Sequence, residues 1–164
     1  MTQKIQLNQI LFFLIFTSFF ALSFAYISQY FFGLKPCQLC FYERKPFFAI
    51  IAISLLILVF FQQQKAKKLA ILFSALLLLI NASIAAYHVG VEQKIFKISE
   101  GCASTIPENI DSIETLKALL ASSPSARCDE PEFFFLGLSM AAWNIIYCLS
   151  LFAATLFFYR GARK

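Results

Sequence analysis

Charge is scarce in this chain. Of its 164 residues only 14% are Asp, Glu, Lys or Arg, while 60% are hydrophobic and 21 are phenylalanine. A soluble fold of that length cannot bury so much apolar surface, so the composition excludes a soluble domain and points to an integral membrane protein. Histidine occurs once, at position 88, which leaves no histidine pair for a zinc site. The formal charge of +5 is carried by short clusters between apolar runs, with no aromatic-interleaved basic face, and this excludes nucleic acid as a partner. The length suits one modest domain, read here as a single membrane domain over 1–164.

Four long apolar runs are present, and each supplies the roughly 20 residues that a helix needs to cross a bilayer. The spans are predicted at about 10–32, 41–61, 69–91 and 141–159. The first, "ILFFLIFTSFFALSFAYISQYFF", is preceded by Lys4 and contains "SFA", which resembles a signal-peptide cleavage site. Its apolar stretch is too long for a signal peptide, so an uncleaved first span is expected. In the fourth run, 133–140 is read as an interfacial segment leading to the span, with Trp143 near the headgroups. The chain runs only a few residues past Tyr159, and no appended soluble module is expected.

Four spans put both termini on one side, together with Lys4, Lys65, Lys67, Lys68, Arg160, Arg163 and Lys164. That side carries no acid. The Lys/Arg tally is equal on the two sides, but here the cations crowd a short turn and a tail beside span ends, where the positive-inside rule operates. The termini and the 62–68 turn are therefore expected in the cytoplasm. The loops at 33–40 and 92–140 are expected to face outward. In the second loop, Ile110, Ile113, Leu116 and Leu120 recur at helical spacing, which predicts a short amphipathic helix on the membrane surface.

Four of the five cysteines fall in the outer loops: Cys37 and Cys40 in the first, Cys102 and Cys128 in the second. In a bacterium that compartment is the oxidising periplasm. Four cysteines allow three pairings, of which one pair per loop is the simplest. A C-x-x-C supplies half a zinc site, but the sequence offers no second half, so no metal is expected. A structural clip accounts for Cys102 and Cys128, which close a long loop. It accounts poorly for Cys37 and Cys40, whose short ring removes little chain entropy. Short C-x-x-C pairs more often exchange disulfides. Cys148 lies inside a span and reads as a small buried hydrophobe.

If the second helix starts near Cys40, Arg44 lies one turn further on the same face, where its charge favours a thiolate. The helix N-terminus acts in the same direction. The bland reading of Arg44, and the preferred one for Lys45, is an anchor that snorkels to headgroups. His88 lies one turn from the outer end of the third span, at about the depth of Arg44. It reads either as a proton or hydrogen-bond donor in a shared pocket or as a helix cap.

These residues resemble the DsbB family of bacterial inner-membrane thiol oxidases, over nearly the whole chain. The resemblance rests on "PCQLCFYER" at 36–44, "YHVGVE" at 87–92, two cysteines in the second outer loop and "FLGLSMAAWN" at 135–144. It implies an all-α, four-transmembrane-helix bundle in the bacterial inner membrane. It also implies an enzyme, a protein-dithiol:quinone oxidoreductase working in the established DsbA–DsbB–quinone relay. On that resemblance Cys102 and Cys128 form a disulfide, and a reduced periplasmic DsbA-like thiol oxidase attacks it at Cys102. Electrons then reach the Cys37–Cys40 pair, and Cys40 reacts with a quinone (ubiquinone or menaquinone) from the membrane pool. Arg44 matches the family's quinone-supporting arginine, and His88 falls near a position tied to the quinone site. The alternatives are a VKOR-like quinone-linked oxidoreductase, against which "CFYER" argues, and a non-enzymatic membrane protein with two structural disulfides.

Overall fold

The computed structural model describes residues 2–97, 127–131 and 133–162. Helix α1, Thr2–Phe31, carries two apolar stripes. Leu7, Ile10, Leu11, Leu14 and Leu22 recur at three- and four-residue spacing and are buried, whereas Phe12, Phe16, Phe19, Phe20 and Phe24 lie on the other side and are exposed. In water a stripe of exposed phenylalanines would drive aggregation, but in hydrocarbon it is the solvated face. Helix α2 spans Gln38–Phe60, α3 spans Gln64–Glu92 and α4 spans Met140–Gly161.

Helix α3 packs against each of the other three, most extensively against α4 and α2. Its buried face is rich in small residues, Ala70, Ser74, Ala75, Ala82 and Ala85, which let helices approach closely where no water drives them together. Among the described residues, three segments are long and apolar enough to cross a membrane: Gln6–Phe31, Gln64–Glu92 and Met140–Gly161. Helix α2 has 23 residues but falls short by composition, because Glu43, Arg44 and Lys45 occupy its second turn. Two of these side chains have polar partners and the third lies over an aromatic ring, as described below.

Local signals set the helix ends. Ser139 caps α4 by accepting the Ala142 amide at 3.2 Å. Ser139 is placed by a feature that the all-α expectation lacks, a hairpin pairing Phe134–Phe135 with Leu138–Ser139. Its two-residue turn has Leu136 at φ 52° and Gly137 at φ 78°. Positive φ at both turn residues is the twist that a tight hairpin needs. Trp143 donates its indole N–H to the Phe135 carbonyl at 3.0 Å, tying α4 to this hairpin. At the C-terminal end of α3 the Phe96 ring occupies the space a Cβ on Gly90 would fill, and it stacks on Tyr87 at 5.3 Å between centroids. At the opposite end, the first turn of α3 buries Lys67, whose ammonium donates to Asn8 Oδ1 at 2.7 Å and Gln62 Oε1 at 3.1 Å. The amphipathic helix predicted at 110–120 lies outside the described residues.

Candidate functional site

Cys37 is the N-cap of α2, and its sulfur accepts the Cys40 amide at 3.3 Å. Starting a helix inside C-x-x-C brings both sulfurs to one side, where Cys37 Sγ and Cys40 Sγ are 2.9 Å apart. The two thiols are free. Cys37 is buried and Cys40 is half-buried. Cys40 donates its S–H to Cys37, and this hydrogen bond holds the Cys37 thiol below its ordinary value despite the opposing effect of burial.

The second loop reaches the same place. Cys128 packs in one buried apolar cluster with Cys37 and Val91, flanked by Leu39 and Cys40. Cys128 is disulfide-bonded. Beside it, Arg127 donates twice to Asp129, at 3.0 and 2.9 Å. Cys102 lies outside the described residues.

His88 joins this centre from α3. Its Nε2 is 3.4 Å from Cys37 Sγ, and its Nδ1 is 2.6 Å from Glu43 Oε1. Glu43 Oε2 accepts from Asn144 Nδ2 of α4 at 2.8 Å, and Asn144 Oδ1 accepts the Cys148 S–H at 3.4 Å. Glu92 Oε1 lies 3.8 Å from His88 Nε2. With the Glu43 carboxylate accepting Nδ1–H, Nε2 is left facing the sulfur. His88 and Glu43 are buried, at 4% and 8% exposure, so this polar chain is held away from water.

Arg44 turns away from this network. Its guanidinium donates to Gln29 Oε1 of α1 at 2.8 Å and lies over the rings of Tyr26, at 4.9 Å, and Phe41, at 5.3 Å. Among the described residues no hydrogen bond joins Arg44 to Cys40 or to His88. The i to i+4 spacing fixes the helix face, but the long side chain follows its partner on α1. Lys45 lies over the Tyr42 ring at 4.1 Å. An apolar cleft of about 430 Å³ opens between α2 and α3, lined by Leu39, Tyr42, Ile80, Ser83, Ile84 and Tyr87. Two of its walls, Leu39 and Tyr42, flank Cys40 in sequence.

Glu43, Glu92 and Asn144 were not singled out from the sequence. A usable signal exists for Glu43. A carboxylate entering a hydrocarbon-spanning segment needs a partner, and the one histidine stands at the matching depth of the next helix. Asn144 carries no such signal, since only the α3–α4 packing brings it to Glu43.

The sequence model of the DsbB family, Disulfide bond formation protein DsbB, matches residues 7–158. Uncharacterized protein RP370 of Rickettsia prowazekii (strain Madrid E) is 37% identical over 155 residues, covering 92% of this chain and 88% of that protein. Disulfide bond formation protein B of Xanthomonas campestris pv. campestris (strain 8004) is 27% identical over 150 residues, covering 87% and 86%. The protein of the same name from Xylella fastidiosa (strain Temecula1 / ATCC 700964) is 28% identical over 135 residues, covering 79% and 76%. With a C-x-x-C at the start of α2, long apolar helices and a family match over most of its length, this chain is a multi-pass membrane protein and belongs to the DsbB family of disulfide bond formation proteins.

Proposed function

We propose that the chain is a protein-dithiol:quinone oxidoreductase that generates disulfides. It reoxidises a periplasmic DsbA-type dithiol and passes two electrons through the Cys102–Cys128 and Cys37–Cys40 pairs to a membrane quinone. The reading includes one membrane domain of four spans in the bacterial inner membrane. The termini face the cytoplasm, the two cysteine loops face the periplasm, and a short interfacial helix lies in the second loop. The observation that carries it is the packing of disulfide-bonded Cys128 against Cys37, beside a free thiol pair.

Each residue's part follows from its surroundings. Disulfide exchange needs a thiolate, and Cys37 is the sulfur whose ionised form the Cys40 thiol and the helix N-terminus favour. The partner's thiolate attacks the loop disulfide, and a loop thiolate so released attacks a Cys37–Cys40 disulfide. Each exchange forms one S–S bond and breaks another with no net change in thiol count, and the second leaves Cys37 and Cys40 as thiols. Oxidation of Cys37 and Cys40 to a disulfide then releases two electrons and two protons. His88 Nε2 faces Cys37 and can take its proton, while Glu43 fixes the ring and offsets the imidazolium charge.

The residues present fit an apolar acceptor. Cys40 is half-buried, and its near neighbours in sequence, Leu39 and Tyr42, line an apolar cleft of about 430 Å³, while Arg44 lies one turn further along α2 and reaches Gln29 of α1. A quinone supplies the sink, taking up two electrons and two protons as it becomes a quinol. Arg44 is the proposed support for the charge developing on Cys40 or its acceptor.

The test uses purified protein in detergent micelles with its loop thiols reduced. Adding ubiquinone or menaquinone is expected to restore the disulfides, and Cys40→Ser to stop that step. No reoxidation, or reoxidation unchanged by Cys40→Ser, sinks the reading in favour of structural disulfides. Arg44→Ala is expected to raise the quinone KM with the fold intact, and an unmoved KM makes Arg44 an anchor only. A Cys128→Ser variant is expected to trap its periplasmic partner through Cys102.

A further inference from the structure

We propose that Cys37, Cys40 and His88 form a redox-gated binding site for a thiophilic divalent cation, with Zn²⁺ the best match, open only while the pair is reduced. The sequence argues against metal because its C-x-x-C has no second half. The fold supplies the missing donor from 51 residues away. The two sulfurs and a nitrogen of His88 all lie within 4.8 Å of one another. Zinc–sulfur and zinc–nitrogen bonds of about 2.3 and 2.0–2.1 Å at tetrahedral angles separate donors by roughly 3.5–3.8 Å. Cys37 Sγ and His88 Nε2 are already 3.4 Å apart, while the two sulfurs, at 2.9 Å, need only open slightly by side-chain rotation.

The surroundings of His88 are the second observation. A metal-binding histidine characteristically gives its other ring N–H to a carboxylate, which fixes the tautomer and aims the free nitrogen at the ion. Glu43 does this at 2.6 Å and is itself held by Asn144 at 2.8 Å, with Nε2 aimed at the sulfur. Glu92 Oε1 lies 3.8 Å from Nε2 but outside the group of three close donors, so the fourth position falls to water.

Binding exchanges two thiol protons for one cation and changes no oxidation state. A Cys37–Cys40 disulfide has no thiolate to offer, so oxidation closes the site. The bound cation keeps both sulfurs from forming a disulfide and so slows reoxidation. That consequence rests on the oxidoreductase reading, but the binding does not.

The experiment titrates Co²⁺, then Zn²⁺ in competition, into full-length Cys102→Ser/Cys128→Ser protein in micelles. This variant removes the second-loop thiols as rival ligands. One Co²⁺ per reduced chain is expected, with tetrahedral d–d bands and a thiolate charge-transfer band, both lost when the same sample is oxidised. Cys148→Ala is expected to change nothing. His88→Ala is expected to weaken binding tenfold or more and Cys37→Ser to remove the charge-transfer intensity of one thiolate. The oxidised-against-reduced comparison uses one folded protein, so it decides the matter even if His88→Ala does not fold. No binding by the reduced protein, equal binding by the oxidised one, or a folded His88→Ala that binds Co²⁺ equally well overturns the site. Quinone reoxidation that fails while Co²⁺ still binds overturns the functional reading alone.

Discussion

At the scale of single residues, the centre is a run of contacts from Cys40 through Cys37, His88 and Glu43 to Asn144. Glu43 touches no reacting sulfur, so it is a positioning residue that acts through His88. Glu43→Gln keeps the shape but loses the charge that holds Nδ1–H. It is expected to slow quinone-driven reoxidation by about tenfold or more and to alter its pH profile, because a positioned base contributes on the order of 10²–10⁴-fold. A profile identical to the unaltered protein's would reduce Glu43 to packing. Cys37 gives a second pH signature. Because its folded-state pKa lies below the ordinary thiol value, the thiolate stabilises the reduced protein fully above that ordinary value. The contribution is lost as pH falls through the lowered one. Thiolate absorbance followed against pH is expected to show this low midpoint, and Cys40→Ala to raise it by removing the S–H donor.

At the scale of elements, the site depends on where three helices begin and end. The N-cap and first turn of α2 carry the sulfurs, the last turns of α3 carry His88 and Glu92, and the second turn of α4 carries Asn144. Ser139 caps α4 and so fixes where the helix that carries Asn144 begins. Ser139→Ala is expected to cost about 1 kcal/mol of stability, the usual worth of an N-cap. Reversible unfolding in mixed micelles checks this, and an unchanged midpoint would mean that the hairpin alone positions α4.

At the scale of the whole molecule, many phenylalanines face outward while the buried face of α3 is rich in small residues, so apolar surface lies on both sides of the helices, unlike in a soluble protein. The proposed orientation follows from the crowded cations of the 62–68 turn. In a background with all five native cysteines replaced, Lys65→Cys is expected to react with a membrane-impermeant maleimide only after permeabilisation. Lys94→Cys is expected to react in intact spheroplasts. The reverse pattern would invert the topology and put the thiol pairs in a reducing compartment.

Composition and hydropathy alone determined a membrane protein with long apolar helices, because hydrocarbon leaves a chain few other ways to satisfy its backbone. The spacing of Cys37 and Cys40 likewise made a helix-start dithiol legible, since both depend on local geometry. Tertiary packing decided which polar groups meet. Residues far apart in sequence, His88, Glu43, Asn144 and Cys128, converge only when α3 and α4 close on α2. Packing also decided where Arg44 points. Its register on α2 places it beside Cys40, but burial in an apolar setting makes a charged side chain seek its nearest polar partner, and that partner, Gln29, is on another helix.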